Sequence, residues 1–283
     1  MARVGSMSRS KAIGDLLAQV AVWTIVVFAI FPIAWAFLIS LKPEEDIVTA
    51  TLQYIPRRIT FENYVAIWTR SNFPTLIGNS IVTTLTTVAI CTVVGTLASY
   101  AVTRYRFAGR RGLMMLFLVV RMFPAVMIII PLFILMRGLG LLDSRLGLAL
   151  AYTTFLLPVF IWMMKGFFEA VPNDLEDAAR IDGASRLGAM VRIVLPLVVG
   201  GLVATAVFIA IGAWNEFLFA LMLTTSTGSR TWPVGLQLMV GEFQLPWGSL
   251  AAGGIISIVP VMILFALVQR AMVRGLTAGA VKS

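Results

Sequence analysis

The chain has 283 residues, of which 59% are hydrophobic and only 12% are charged, and its formal net charge is +9. Soluble domains usually carry about a quarter charged residues, so most of the surface of this chain is expected to face lipid. In a membrane protein, basic residues are expected to divide unevenly between the two sides of the membrane, so the positive net charge does not indicate a nucleic-acid interface. The sequence contains no histidine, which argues against metal catalysis and against a proton shuttle at neutral pH.

Six long segments without acidic or basic residues follow one another along the chain. A bilayer core of roughly 30 Å needs about 20 apolar residues per helix, so each segment is long enough to cross or nearly cross it. They predict an all-α integral membrane protein, a single domain over residues 1–283 with spans at about 16–39, 76–102, 113–136, 146–168, 196–222 and 249–273. The first is too long for the apolar core of a cleavable signal peptide, which indicates a retained helix.

Basic residues divide unevenly between the two sides of this bundle. With six spans both termini share a side, and that side receives fourteen Lys and Arg residues, whereas the opposite loops receive seven that nearby acids nearly neutralise. The densest group is Arg104, Arg106, Arg110 and Arg111, between spans two and three. Because basic residues in short loops stay in the cytoplasm, both termini are predicted to be cytoplasmic and the chain to reside in the cell membrane.

The first outer loop, at about 41–75, is too short for an independent domain. It mixes prolines with Tyr54, Phe61, Tyr64 and Trp68, a composition suited to the headgroup level of a membrane. Two interpretations stay open, an interfacial connector and a docking surface for an extracellular partner.

The third predicted span contains an ionisable residue, Arg121. Charge inside a membrane costs free energy unless it meets a partner or water, so Arg121 is a candidate for the substrate path. Its alternatives are contact with backbone carbonyls of a kinked helix and snorkelling toward the inner surface. Prolines within or beside the spans, including Pro124 and Pro196, predict such kinks.

Hydrophobicity breaks between the fourth and fifth spans, at about 169–195, which predicts a cytoplasmic loop. Asn173 followed by Glu176 suggests a capped helix start, Gly183 suits the left-handed conformation that ends a helix, and Ser185 can cap a second helix. The pattern predicts helix, sharp turn, helix. Ala178 and Ala179 leave one face with little bulk, so another protein could pack closely there, although a plain solvated loop has the same charges.

The fifth predicted span contains Trp214, Asn215 and Glu216. An aromatic face beside an amide and a carboxylate is suited to stacking on a sugar and hydrogen bonding to it. The alternative is a tryptophan of the interfacial belt and a glutamate that reaches headgroup water.

The run Asp177-Ala178-Ala179, three residues, Gly183, nine residues and Ile193-Val194-Leu195-Pro196 resembles the EAA signature of bacterial ABC-importer permeases. Asp177 stands where the family usually has Glu. Further segments resemble the maltose-permease branch of carbohydrate importers, namely Phe61–Tyr64, Asn79-Ser80, Tyr100-Ala101 with Arg104, Ile130–Leu132, Leu139–Leu141, Trp214–Phe217 and Gly275–Lys282.

This resemblance implies the six-helix type I permease bundle and import of a sugar, such as the disaccharides trehalose and maltose. The implied partners are a second homologous permease, two ATPase subunits that bind ATP and Mg, and an extracellular sugar-binding protein, with no cofactor on this chain. The loop would be the coupling helix that docks on the ATPase, with Asp177, Ala178, Ala179, Arg180, Asp182 and Gly183 as its residues. The resemblance also directs the C-terminal tail toward the ATPase interface and the substrate path to the half of span five around Trp214.

A motor subunit would need a phosphate-binding Gly-Lys-Ser or Gly-Lys-Thr. All four lysines, Lys11, Lys42, Lys165 and Lys282, follow residues other than glycine, so the chain is not expected to be an enzyme. The remaining alternatives are an ion-coupled secondary transporter, which would need ion ligands inside the membrane and often shows an inverted repeat, and a membrane scaffold.

Overall fold

The computed structural model describes residues 4–49, 53–70, 72–241 and 245–280, and the side chains among them except those of 4–10, 70, 267 and 270–280. The C-terminal tail motif Gly275–Lys282 therefore lies outside the described side chains, and its last two residues, Val281 and Lys282, lie outside the described residues. The described parts of the chain form two compact units, one within residues 1–70 and 239–258 and the other within residues 71–238 and 259–283. Within these parts all regular structure is helical.

The first unit contains α1 (Val4–Ser40), a short 3-10 helix (Glu44–Asp46), α2 (Glu62–Arg70) and the start of α12 (Trp247–Ala280). From residue 11 onward, most apolar side chains of α1 are exposed, Phe28 by 81%, as expected for a helix that meets lipid. The outer loop is ordered by the Phe61–Tyr64 motif. Asn63 Nδ2 donates to the carbonyls of Ser40 at 2.9 Å and Lys42 at 2.8 Å, so this amide fixes the chain at the end of α1.

The second unit is built around three long helices. Its elements are α3 (Phe73–Arg104), α4 (Arg110–Met122), α5 (Ala125–Gly138), α6 (Arg145–Glu169), α7 (Asn173–Ile181), α8 (Arg186–Ala189), a π-helical turn (Met190–Val194), α9 (Leu195–Trp214), α10 (Leu218–Leu223), α11 (Trp232–Leu238) and the end of α12. Helices α3, α6 and α9 pack together around a buried cluster that includes Cys91, Phe160 and Ile209. Gly95 allows close approach, because a Cβ there would lie 2.3 Å from the Phe160 ring.

The third predicted span differs from the structure. Instead of one helix over 113–136, the chain forms α4 and α5, which are bent by 103° at a short break. Pro124 explains the break, since it lacks a backbone donor and disfavours helical geometry in the residue before it. Phe123 accordingly has extended backbone angles, φ −69° and ψ 131°.

The fifth predicted span, 196–222, also differs. The helix begins earlier, because Arg186–Trp214 runs without interruption through the π-helical turn, and it ends at Trp214. Residues 215–217 separate it from α10. Glu216 favours this break, because its carboxylate accepts hydrogen bonds from the backbone of the new helix, Phe219 N at 2.9 Å and Ala220 N at 3.2 Å.

Five described helices are long and apolar enough to cross a membrane, and the bent pair of α4 and α5 raises the number to six if it crosses as one span. The all-α membrane architecture expected from the sequence agrees with this count.

Candidate functional site: the 173–189 hairpin

The segment 173–189, named here the 173–189 hairpin, consists of α7, a tight turn and α8. The turn depends on Gly183, whose φ of +90° lies in the left-handed region that residues with a Cβ rarely adopt. Ala184 N donates to Ala179 O at 3.0 Å and Gly183 N donates to Arg180 O at 3.1 Å, the two bonds of a Schellman motif. Ser185 then caps α8, accepting from Gly188 N at 3.1 Å. The expected helix, turn and helix are present.

The start of α7 differs from the expected cap. Pro172 occupies the N-cap position without a side-chain hydrogen bond, and Asn173 is the first helical residue. The Asn173 side chain faces α3 instead, where its Oδ1 accepts from Arg104 Nη1 at 2.7 Å. Glu176 likewise turns away from the helix terminus that it was expected to cap.

Glu176 is a buried carboxylate, with 7% of the residue exposed. It forms an ion pair with Arg104 at the end of α3 and accepts a hydrogen bond from Tyr100 Oη at 2.6 Å. Arg104 also donates from Nη2 to Val171 O at 2.9 Å. These bonds satisfy both the acid and the guanidinium, so the charges can stay out of water. The result is a firm attachment of α7 to the end of α3.

Most of the hairpin outside this attachment is exposed. Asp177, Ala178, Arg180, Asp182 and Gly183 are exposed, and Ala179 is half-buried. Ile181 is 86% exposed and lies one helical turn beyond Ala178, so an apolar side chain and a flat alanine patch share one face. A contiguous apolar patch exposed outside a membrane span is typical of a surface that another protein covers.

The residues predicted for a substrate path differ in their exposure. Trp214 is only 4% exposed, whereas Asn215 is exposed and donates to the Ile211 carbonyl at 2.9 Å. Glu216 is half-buried and caps α10. Arg121 is exposed, and its Nη1 lies 3.5 Å from Phe155 O on α6, a long contact with a backbone carbonyl.

Most of the chain, including the hairpin and the helices around it, matches one known protein family. Residues 91–278 match the family described as binding-protein-dependent transport system inner membrane component. The chain belongs to this family. It is therefore a permease of an ABC transporter, it resides in the membrane, and it is not an enzyme, as the sequence predicted.

Two curated relatives are named as sugar permeases. The permease is 40% identical over 260 residues to the trehalose transport system permease protein SugB of Mycobacterium tuberculosis, covering 91% of this chain and 94% of the relative. It is 37% identical over 269 residues to the sulfoquinovosyl glycerol transport system permease protein SmoH of Agrobacterium fabrum, with 95% and 94% covered. These relatives establish the sugar ABC-importer class.

A solved structure confirms the fold class. A chain from a bacterial ABC transporter involved in import of the acidic polysaccharide alginate superimposes with a TM-score of 0.80 at 26% identity, covering 93% of this permease and 97% of that chain. The all-α fold of an ABC-importer permease is thus confirmed. The side of the membrane on which the termini lie stays a prediction.

One ordered turn of the permease was missed by sequence reasoning. Asp143, at φ +53°, has an oxygen that accepts from Thr225 N at 2.8 Å, from Ser226 N at 2.9 Å and from Ser229 Oγ. Burial would raise the pKa of Asp143, but the hydrogen bonds from Ser226, Ser229 and Thr225 outweigh it and hold the pKa well below its usual range. The sequence contains one signal for this turn, because Asp143 immediately precedes Ser144, the residue that caps α6.

Proposed function

We propose that this permease imports a sugar by coupling the 173–189 hairpin to ATPase subunits in the cytoplasm. The observation that carries the proposal is the division of the hairpin into two sides. One side is bound to α3 through Glu176 and Arg104, and the other exposes Ala178 and Ile181. A force applied to the exposed side would reach α3 through the buried ion pair and α9 through the continuous π-helical turn.

The proposed site residues are Asp177, Ala178, Ala179, Arg180, Asp182 and Gly183. Their side chains contribute little to the interior of this chain, since only Ala179 is half-buried. Asp177 and Arg180 form an exposed ion pair at 3.1 Å, so both charges remain available to a partner. Asp177 keeps the charge of the usual glutamate with a shorter reach.

For the substrate, we propose a small sugar such as a disaccharide, with trehalose and maltose as the first candidates. Trehalose rests on the naming of the 40% identical relative, but a 37% identical relative is named for sulfoquinovosyl glycerol. Specificity therefore needs direct measurement. The proposed substrate path consists of Trp214, Asn215, Glu216 and Arg121, of which Asn215 and Arg121 are exposed. The path is proposed to be completed by a second, homologous permease.

The proposed complex contains two ATPase subunits that hold ATP and Mg, and a sugar-binding protein outside the membrane. Support for a binding protein comes from the family description. The termini and the 173–189 hairpin are proposed to lie on the cytoplasmic side, where basic residues are densest. All 283 residues are proposed to serve as one permease domain.

Disulfide crosslinking would test the coupling assignment. The chain has one cysteine, Cys91, which is buried, so the variant Ala178→Cys adds one accessible thiol. It is expected to crosslink to an ATPase carrying a cysteine in its docking cleft, and more strongly when ATP is present. Thr227→Cys, in an exposed turn after α10, is the matched control and should not crosslink.

Substrate class is tested by ATPase activity of the reconstituted complex with its binding protein across a panel of sugars. Stimulation by trehalose or maltose supports the proposal, and stimulation only by other sugars would reassign the substrate while leaving coupling intact.

A further inference from the structure

We infer that the start of α4 binds the headgroup of an anionic phospholipid, with an acyl chain lying along the same helix. A cavity of about 470 Å³ opens there, lined by Phe107, Gly109, Arg110, Arg111, Met114 and Lys165 among others. The lining combines three basic side chains with apolar ones, and none of its residues in the described part of the chain is acidic. This inference is independent of ATPase coupling.

The basic charge of this cavity is largely uncompensated. Lys165 pairs with Glu169, but neither Arg110 nor Arg111 forms an ion pair with any described carboxylate. Arg110 also lines an adjoining cavity of about 360 Å³ with four further arginines, of which only Arg104 and Arg180 have acidic partners there. Arginine binds a phosphate through two parallel hydrogen bonds, so the site suits a phosphate group.

The backbone at this point adds further donors. Gly109 precedes α4 with φ +86°, and no side chain caps the first turn of the helix. A Cβ at Gly109 or Gly112 would meet nothing within 4 Å, so the space beside the helix start is open. A helix start attracts anions through its unpaired N–H groups and its dipole, which reinforces the arginines.

Helix α4 favours a lipid over a soluble phosphate. Four exposed apolar residues, Met115, Leu118, Val119 and Met122, recur at positions i, i+3, i+4 and i+7, and Arg111 lies one turn before the first of them. These residues form an apolar stripe along α4 that begins next to Arg111. From Arg111 to Met122 the rise is about 16 Å, roughly the half-thickness of a bilayer core, which is the reach of one acyl chain.

The test is native mass spectrometry of the full chain with its copurifying subunits, mixed with equal amounts of phosphatidylglycerol and phosphatidylcholine. The wild type should retain phosphatidylglycerol preferentially. The variant Arg110→Gln/Arg111→Gln should bind it about tenfold more weakly, because each basic residue near the membrane contributes to the attraction of anionic lipid. Arg137→Gln/Arg145→Gln removes the same charge from exposed residues elsewhere and should change binding less than about twofold.

Several outcomes would overturn the inference. Equal losses in the two double variants would show a general charge effect, and displacement of the lipid by soluble glycerol phosphate would identify a free-anion site. Loss of the lipid whenever ATPase subunits bind would assign the arginines to a protein contact. If the glutamine variant does not assemble, Arg110→Lys/Arg111→Lys replaces it, and that variant should retain the lipid preference because lysine also binds phosphate.

Discussion

Two polar segments in the second unit, the 173–189 hairpin and the turn before α6, are each held in place by one carboxylate, and they use it differently. Glu176 is buried and pairs with the guanidinium of Arg104 and the hydroxyl of Tyr100. Asp143 is half-buried and accepts hydrogen bonds from backbone N–H groups and a serine, with no cation paired to it among the described residues. The hairpin is therefore attached to a long helix by an ion pair, whereas the turn before α6 is held by uncharged hydrogen-bond donors.

The 173–189 hairpin is therefore suited to transmitting motion, whereas the turn that contains Asp143 is suited to staying fixed. The ion pair of Glu176 joins the 173–189 hairpin to α3, so a displacement of the hairpin reaches a membrane helix. The Asp143 oxygen instead ties the turn before α6 to the turn after α10, both at one end of neighbouring helices. Four substitutions would break or sharpen this contrast.

The largest effect is expected for Glu176→Gln. It leaves the Arg104 guanidinium buried without a carboxylate, which should lower the free energy of unfolding by about 3 kcal/mol. Thermal unfolding of the purified permease measures the loss. Glu169→Gln removes the partner of Lys165 in a more exposed pair, and as the matched control it should cost below about 0.5 kcal/mol. Equal losses in the two variants would contradict the attachment of α7 through Glu176.

A smaller loss, about 2 kcal/mol, is expected for Gly183→Val, because a β-branched residue is strained at positive φ. The variant should still insert in the membrane, and its ATPase partners should still bind nucleotide. Measured together, sugar-stimulated ATP hydrolysis should continue while sugar uptake falls. Gly183→Asn should retain more coupling, since asparagine tolerates this conformation.

Gly166→Val is the control for Gly183→Val. Gly166 lies within α6, and a Cβ there would meet nothing within 4 Å. Transport unchanged in both valine variants would contradict the role of the turn.

Asp143→Asn should cost about 1 kcal/mol, because the amide keeps an acceptor oxygen and tolerates positive φ but loses the charge that strengthens its hydrogen bonds. The pKa of Asp143 is depressed in the folded state, so its stabilisation is complete above the unfolded value of about 4 and is lost as pH falls below it. The stability difference between wild type and variant, measured by thermal unfolding from pH 6 downward, should therefore shrink on acidification below about pH 4. A difference that is constant with pH would contradict this assignment.

The smallest effect on stability, below about 0.5 kcal/mol, is expected for Asp177→Asn, because its ion pair with Arg180 is exposed. If the exposed side of the hairpin serves a partner, this variant should nevertheless weaken ATPase association, measured by copurification. Asp174→Asn, exposed on the same helix, removes the same charge outside the proposed site and is the control. Association weakened equally by both variants would argue for a general charge effect.

The hairpin was predictable because its turn is specified locally. The Gly183 turn is closed by backbone hydrogen bonds, and the Ser185 side chain accepts from Gly188 N. These partners lie within five positions of each other, so both roles depend on nearby sequence alone. Glu176 illustrates the limit. Its spacing from Asn173 suited a capping pair, but Arg104 and Tyr100 come close to it only after α3 and α6 have packed, and an ion pair with a distant arginine outweighs a local cap.

The membrane helices show the same division between local and distant causes. Apolar length was sufficient to locate α3 and α6, whereas the break at Phe123 was anticipated only as a kink and the break after Trp214 was not anticipated. Pro124 acts on its neighbour and carries a sequence signal. Glu216 ends a helix by capping the next one. The sequence had suggested a sugar contact or a carboxylate that reaches headgroup water, and neither interpretation predicts a cap.

The bend at Pro124 also bears on how many times the chain crosses the membrane. The five long helices alone give an odd number of crossings, which would leave the beginning and the end of the chain in different compartments. In the proposed arrangement the bent pair supplies the sixth crossing and restores an even number. The compartment reached by the C-terminal tail thus depends on a pair of helices interrupted by one proline. Reporter fusions at the two ends of the chain would show whether the number of crossings is odd or even.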